Sequence, residues 1–372
     1  MKRLSLTIIT LWLTIITTTQ ANESILTDTL ATEIQTTQET APRKPRLIRR
    51  IIRGFDRLDN RYIEPQHYVF TAMLQATYTY DRYRLSSTGA SGQSITFAPD
   101  ATTKIGPYLG WKWIFLGYTF SLGHSSFKKN KTEIDLSIYS SQIGVDLFYR
   151  RTGNDYKLRN VSFGEGIDTH RLDDISFDGV KAGITGISAY YIFNHGRFSY
   201  PAAFAQSTCQ KISCGSWMAG IGYTKNSLEL DYRQLQDIAS QRLAPQEVKL
   251  DSGLMFNELR YHDFNISGGY AYNWVFSKNW LFCASGQVAI GYKMSSGEEA
   301  DRKHVFHIEN ISPNLVGRFA LVYNNATWYA GLSAIVHSNT YRQTRFSTNN
   351  TFGSMNMYVG YNFGLKKRYR KK

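Results

Sequence analysis

The chain of 372 residues lacks a long hydrophobic run beyond its N-terminus. No later stretch approaches the roughly 20 apolar residues that a transmembrane helix requires, so any membrane signal must be of the alternating kind. Motifs that carry cofactor chemistry are missing too, since there is no glycine-rich phosphate loop, Walker pattern or Cys-x-x-Cys pair. The sequence therefore predicts no cofactor.

Cysteine is also scarce, with three residues in the whole chain. Cys209 and Cys214 are spaced so that they could straddle a hairpin tip. Because export leads to a disulfide-permissive compartment, we predict a Cys209–Cys214 bridge, with two free thiols as the alternative. Cys283 has no evident partner and is expected to be a small residue of a barrel wall.

The N-terminus has the features of a secretory signal peptide. Lys2 and Arg3 form a charged region, Leu4 to Ile16 form an apolar core, and Thr19 and Ala21 precede a cleavage site. An anchor helix is the alternative, but an apolar core of about 13 residues is too short to span a bilayer. We expect residues 1–21 to be removed on export.

Aromatic residues are abundant, and apolar and polar residues alternate near the C-terminus. The alternating sets are Met355, Met357, Val359, Tyr361 and Phe363 against Ser354, Asn356, Tyr358, Gly360 and Asn362. A period of two places each set on its own face of a β-strand. An apolar outer face, a polar inner face and a final aromatic residue are typical of a transmembrane β-barrel strand.

The same alternation recurs at 68–80, 114–122, 280–292 and 328–336. Short turns are predicted at 111–113, 153–155, 194–196, 225–226, 277–279 and 324–326, and longer loops near 86–92, 124–131, 164–178, 209–213, 238–256, 294–308 and 341–351. Strict alternation of short and long connections is typical of an up-and-down antiparallel barrel with periplasmic turns and outer loops. Counting weak strands at 155–163 and 227–236 gives about 14 strands over residues 66–364, and omitting them gives 12.

Tryptophan gives a separate indication of the membrane boundary. Five residues lie at or near three of the predicted short turns: Trp111, Trp113, Trp274, Trp280 and Trp328. Indole rings favour the membrane interface, so these residues are predicted to form an aromatic girdle.

Three further segments flank the predicted barrel. Residues 22–45 are Thr-rich and predict a disordered periplasmic lead. Residues 46–60 predict a basic amphipathic helix that could lie on the inner leaflet, plug the barrel or pack on its rim. Residues 365–372 form a basic tail. With a net charge of +14 in an exported chain, we expect anionic outer-membrane lipids and the barrel-assembly machinery as partners, and no nucleic acid.

Four strings resemble a known family: Ile95–Pro99, Trp111–Tyr118, Gly144–Arg150 and Tyr191–Asn194. They are similar to a Bacteroidota family named domain of unknown function 4421, over roughly residues 55–370. The resemblance implies a cell-envelope barrel in the outer membrane of a Gram-negative cell. It supplies no catalytic residues.

Charged residues on the inward parity of the strands are the best functional indication. Seven are predicted to line the lumen: Lys104, Asp146, Arg150, Glu229, Asp231, Arg233 and Arg318. Because an isolated buried charge is costly, such residues need water or opposite partners. The sequence thus favours a non-enzymatic passive or gated pore for small solutes, with a closed structural or surface-binding barrel as the alternative.

Two weaker patterns could carry chemistry. His124 and Ser126, with Asn130 as a third group, distantly resemble the motif of outer-membrane phospholipases and offer a minor lipid-hydrolase alternative. His304, His307 and Glu309 lie close together in a predicted outer loop. Loop residues of this kind are usually solvated, so we predict no metal site.

Overall fold

The structure is a computed structural model that describes residues 58–89, 92–111, 114–122, 132–151, 155–245, 248–295, 311–343 and 345–370. The chain divides into two units, Met1–Asp56 and Arg57–Lys372. The first unit lies outside the described residues. The predicted signal peptide, the 22–45 lead and most of the 46–60 helix are therefore outside them as well.

The second unit is built mainly of β-strands. They are β1 (Ile63–Pro65), β2 (Tyr68–Ser87), β3 (Ser94–Pro99), β4 (Thr102–Trp111), β5 (Ile114–Gly117), β6 (Phe120–Leu122), β7 (Thr132–Tyr139), β8 (Ile143–Arg151), β9 (Tyr156–Ser162), β10 (Val180–Ile192), β11 (Thr208–Gln210), β12 (Cys214–Leu230), β13 (Glu258–Ser277), β14 (Trp280–Ser295), β15 (Ile311–Asn324), β16 (Trp328–Arg342) and β17 (Phe346–Leu365). The helices are α1 (Tyr200–Phe204), α2 (Tyr232–Leu243) and short 3₁₀ turns at His170–Leu172, Ser252–Leu254 and Lys367–Tyr369. Among the described residues, no helix has the length and apolarity needed to cross a membrane.

The main sheet is an antiparallel, up-and-down barrel wall. Its strand order is β5-β4-β2-β17-β16-β15-β14-β13-β12-β10-β8-β7, and β6 continues β5 along β4. Strands that are adjacent in the wall follow one another in the chain, and β17 pairs with β2 to join the two ends of the chain. With β5 and β6 counted as one broken strand, the described wall has 12 strands, the lower of the two predicted counts.

The two weak strands required for a count of 14 have other roles. β9 pairs with β3, which pairs with the far end of β2, so β9 lies off the main wall. Residues 227–230 extend β12, after which the Asp231 carboxylate accepts hydrogen bonds from the amides of Arg233 and Gln234 and caps α2. The predicted turn at 225–226 is wrong, because Lys225 and Asn226 pair with His262 and Tyr261 inside β12.

The alternation predicted from the sequence sets the two faces of the wall. Outward residues of β17 such as Met357 (63% exposed) alternate with inward residues such as Tyr358 (7% exposed). β2 follows the same rule, with Phe70, Leu74 and Tyr78 exposed on the outer face. A continuous apolar outer face is what hydrocarbon requires of a barrel.

The two ends of the barrel differ in the length of their connections. The end that carries Tyr68 and Leu365, here called the turn end, has connections at 112–113, 140–142, 193–213, 278–279 and 325–327. The opposite end, here called the loop end, carries the connections at 88–93, 123–131, 152–179, 231–257 and 296–310, and the short one at 343–345. Because outer-membrane barrels typically have short periplasmic turns and long outer loops, we expect the turn end to face the periplasm.

Candidate functional site

The loop end of the barrel is covered by an apolar assembly of its own loops, here called the cap. It consists of β3, β9, the 170–172 turn, α2 and the 252–254 turn. Its core is fully buried and includes Ile95, Phe97, Leu158, Leu172 and Phe177. Wall strands such as β2, β13 and β17 have 20 residues, about twice what a transmembrane strand needs, so they extend beyond the membrane to carry the cap.

The turn end is filled by the connection between β10 and β12, here called the plug (residues 193–213). β11 pairs with β1, and α1 is capped by Ser199, whose side chain accepts a hydrogen bond from the Ala202 amide. Phe198, Tyr200 and Ala203 are completely buried. The plug is thus packed as a small hydrophobic core.

Hydrogen bonds attach the plug to separate parts of the wall. The Tyr200 hydroxyl donates to Ser285 Oγ of β14 at 2.6 Å, and Gln206 Nε2 donates to the Tyr358 hydroxyl of β17 at 2.6 Å. Asn273 Nδ2 of β13 donates to the Ser199 carbonyl at 2.8 Å. These contacts attach the plug to three strands of the wall, β13, β14 and β17.

An ion pair and a cation–π contact cross the interior between plug and cap. Arg318 of β15 bonds Asp146 of β8, and Arg150 of β8 makes a bidentate contact with Asp135 of β7. The Arg150 guanidinium also lies 4.6 Å from the ring centroid of Phe352 in β17. Because β8 lies on the wall opposite β15 and β17, the Arg318–Asp146 and Arg150–Phe352 contacts tie the two sides of the cylinder together, whereas Arg150 and Asp135 join neighbouring strands.

A second buried pair lies nearer the cap. Lys293 Nζ of β14 is 3.6 Å from the Asp263 carboxylate of β13, and both side chains are almost fully buried. Asn314 Nδ2 donates to the same carboxylate at 2.7 Å. A buried ammonium and carboxylate are tolerated because each has a charged partner.

The rest of the interior retains polar and partly accessible side chains, here called the chamber. Asn356 Oδ1 accepts hydrogen bonds from Gln75 Nε2 (3.1 Å) and Thr77 Oγ1 (2.8 Å). Ser137 and Asp135 on the inward face of β7 are exposed. The Lys104 ammonium of β4 is 3.7 Å from the Glu133 carboxylate of β7.

The structure divides the seven predicted lumen charges into two groups. Lys104, Asp146, Arg150 and Arg318 lie on the inward face of the wall. The prediction is wrong for the other three: Glu229 faces outward and pairs with Lys181, Asp231 caps α2, and Arg233 is an exposed residue of that helix. Glu229 has the opposite parity because β12 runs without a break through the predicted turn at 225–226, and Asp231 and Arg233 lie beyond the end of β12 at Leu230.

The predicted girdle residues lie at the turn end. Trp111, Trp274, Trp280 and Trp328 are between 39% and 53% exposed on the outward face, and Trp113 is outside the described residues. Trp217, near the start of β12, is exposed on the same face and was not predicted. Indole rings at one level of an apolar wall mark a membrane interface.

The predicted disulfide is wrong, because Cys209 and Cys214 are both free in the structure. β11 turns the Cys209 thiol toward the Asn324 carbonyl, whereas the Cys214 sulfur accepts a hydrogen bond from Asn194 Nδ2. The intervening residues belong to the plug and do not form an outer hairpin tip. Cys283 is buried in the wall facing the plug.

The two weaker sequence patterns lie outside the described residues. They are His124, Ser126 and Asn130 of the hydrolase alternative, and His304, His307 and Glu309 of the outer loop. In the part of the chain that the structure does describe, no group of three His, Cys, Asp or Glu side chains could hold a metal ion.

Sequence reasoning missed the plug. It placed a short turn at 194–196 and an outer loop at 209–213, whereas residues 193–213 form one connection at the turn end. A usable signal was present, since Phe198 to Phe204 is apolar without the period-two alternation of a wall strand. Ser199 followed by Tyr-Pro also has the capping residue and early proline of a helix start.

Comparisons with known proteins identify a family. A family model described as Domain of unknown function (DUF4421) matches residues 57–363. No curated protein matches the chain.

Several solved structures are similar to it. The outer membrane protease OmpT from Escherichia coli has 6% identity and a TM-score of 0.34, covering 79% of this chain and 97% of its own. The translocator domain of the autotransporter NalP from Neisseria meningitidis has 12% identity and a TM-score of 0.30, covering 86% and 94%. The outer membrane protein OprG from Pseudomonas aeruginosa has 10% identity and a TM-score of 0.22, covering 81% and 99%.

Proposed function

The chain belongs to the family described as a domain of unknown function (DUF4421), and we propose that this outer-membrane β-barrel protein is a gated pore for small solutes. In this proposal the plug shuts the turn end of the resting barrel, and solutes reach the chamber beside the cap, where Asp135 and Ser137 are exposed. Passage requires the plug to move. The barrel carries out no catalysis.

The main observation behind the proposal is the polar chamber between the plug and the cap. Gln75, Thr77 and Asn356 keep accessible polar groups on the inner wall, and Lys104 and Asp135 place charges of both signs beside them. A lumen lined in this way can replace part of the hydration shell of a small polar solute. A purely structural barrel would gain more from an apolar filling, as the cap illustrates.

The plug has the properties of a gate. It is held by hydrogen bonds and by a small apolar cluster, with its backbone continuous with the wall only at β10 and β12. A segment of this size can leave its site without disturbing the wall ladders, and the low-stability parts of a protein are those that move in gating.

A second candidate is a permanently closed barrel that acts through its surface. The Arg318–Asp146 pair favours this alternative, because separating two buried, opposite charges carries a large cost. In that case the plug would be a fixed part of the core.

Liposome swelling with small neutral sugars tests the proposal. A plug-release variant combines Tyr200→Ala and Gln206→Ala, which removes the two side-chain hydrogen bonds from the plug to β14 and β17. We expect slow swelling with the wild type and clearly faster swelling with this variant. Tyr149→Ala, on the exposed outer face, is the matched control and should behave as wild type. If the release variant is folded and as impermeable as wild type, the closed-barrel candidate is favoured.

A further inference from the structure

An apolar groove lies on the outward face of the wall. It has a volume of about 610 Å³ and crosses β10, β12, β13 and β14 to the start of β15. The exposed side chains that line it are Ile187, Ile221, Phe264, Ile266, Ile290 and Ile311, which are between 41% and 68% exposed. The volume is in the range of sites that hold small apolar ligands.

Strand register places cations directly beyond this groove toward the loop end. Tyr223 of the groove pairs with Ile187 and Phe264, and one row further Lys225 pairs with Thr185 and His262. Successive rows on one face of a strand are about 7 Å apart. A lysine side chain can therefore reach the mouth of the groove.

The next row adds a second cation. Gly183 pairs with both Arg151 and Ser227, so Arg151 lies two residues beyond the row of Tyr149, Thr185 and Lys225. Arg151 and Lys225 are both exposed. Gly183 of β10, the strand between them, has no side chain to separate the two, so both side chains can converge on one anionic group.

These two cations are not neutralised by their neighbours. Glu229 is 3.3 Å from Lys181, and Glu258 pairs with Arg260. Within the described residues, Lys225 and Arg151 have no ion-pair partner. The patch thus combines an apolar groove with uncompensated positive charge at its loop-end rim.

A polar pair marks the boundary between groove and cations. The Tyr223 hydroxyl is 2.8 Å from His262 Nδ1, and its ring lies 4.9 Å from that of Phe264. An aromatic ring in the groove with its hydroxyl at the rim is suited to the junction between acyl chains and polar head groups.

We propose that this surface binds an anionic, phosphate-bearing lipid of the outer leaflet. An acyl chain lies in the groove, and the phosphate lies beside Lys225 and Arg151. The order of side chains along the wall favours this occupant over others. Toward the loop end, the apolar rows of the groove are followed by the Tyr223–His262 pair and then by the two cations. An apolar protein partner would gain no binding energy from the cations, and a soluble anion would gain none from the groove.

Native mass spectrometry of the delipidated, full-length protein tests the proposal, with diphosphoryl lipid A as the probe and an uncharged diacylglycerol as comparison. We expect one preferred lipid A site and weaker diacylglycerol binding. The double variant Arg151→Gln, Lys225→Gln should bind lipid A roughly thirtyfold more weakly, because the loss of each surface cation weakens the binding of an anionic lipid by roughly fivefold. Ala189→Trp, which fills the groove, should also weaken binding.

The matched control is Arg82→Gln with Arg342→Gln, which removes two exposed cations at the loop ends of β2 and β16. It should leave the preferred site intact. Equal losses in both double variants would indicate general attraction to the whole barrel and would overturn the proposal. Unchanged binding in the Arg151, Lys225 variant, with normal heat-modifiable migration on gels, would overturn it as well.

Discussion

Arg318 of β15 and Asp146 of β8 form an ion pair through the middle of the barrel, with 2.5 Å between Nη2 and Oδ2. β10, β12, β13 and β14 lie between these strands in the sheet, so the contact crosses the interior. Each partner makes a further hydrogen bond: Ser137 donates to Asp146 at 2.6 Å, and Arg318 donates to Gln287 at 3.1 Å. The pair fixes the distance between opposite walls.

Removing one partner of this pair should weaken the barrel markedly. Asp146→Ala leaves the Arg318 guanidinium buried without its counter-charge, and the expected loss is about 3 kcal/mol or more of unfolding free energy. The measurement is the urea midpoint of the refolded protein in detergent, followed by heat-modifiable gel migration.

The matched double variant separates charge imbalance from lost packing. Asp146→Leu with Arg318→Met removes both charges and keeps apolar volume, so it should recover most of the stability. Equal destabilisation in the single and double variants would contradict the interpretation that the buried charge is the cause.

The cap should unfold separately from the wall when its core is truncated. Leu235 of α2 is 1% exposed, and Leu235→Ala should cost about 2–5 kcal/mol locally. We expect faster proteolysis of the outer loops, with the heat-modifiable barrel retained. Gln241→Ala, on the exposed face of α2, is the control. Resistance equal to wild type would mean that Leu235 does not hold the cap.

The thiols give a prediction about chemistry in the plug. Burial, together with the nearby Glu64 carboxylate, raises the pKa of Cys209 to about 12, so at pH 8 little of it is the reactive thiolate. Folded protein should therefore be alkylated slowly at Cys209 by iodoacetamide, and denatured protein rapidly at all three cysteines. Mass spectrometry of non-reduced peptides checks both points. A 209–214 cross-link would contradict the structure.

Much of the wall could be predicted from the sequence because hydrocarbon imposes a strict pattern. On β17, every outward residue from Met355 to Phe363 had to be apolar, and a one-residue shift would have placed Asn356 and Asn362 in lipid. The girdle position of Trp328 followed from the same constraint. Four of the inward charged residues, including Arg318, were predicted from the alternation of inward and outward residues alone.

The plug and cap could not be predicted in this way, because their residues pack against protein and not lipid. Lys225-Asn226 has local turn chemistry, yet the long β12 ladder overrides it. Tyr156–Ser162 alternates like a wall strand but pairs with β3 above the barrel. Cys209 and Cys214 were close enough in sequence to bridge, and only the fold of the plug directs their sulfurs to different partners.

The girdle should contribute to anchoring more than to folding. Trp328 is 53% exposed beside Tyr361, with ring centroids 4.6 Å apart. Trp328→Ala should slow insertion into lipid vesicles and leave stability in detergent within about 1 kcal/mol of wild type, since an aromatic pair of this kind contributes roughly that much. Folding kinetics into vesicles, compared with those of Met357→Ala in the mid-wall, provide the check.

Single-channel recording in planar bilayers, on wild type and on the Tyr200→Ala, Gln206→Ala variant, tests the gated barrel most directly. Losing a buried aromatic side chain should weaken the closed plug by about 3 kcal/mol, which raises the open population roughly a hundredfold. We predict a wild type that is closed with rare openings and a variant with sustained current. A wild type that conducts continuously, or a folded variant that never opens, would contradict a gate formed by residues 193–213.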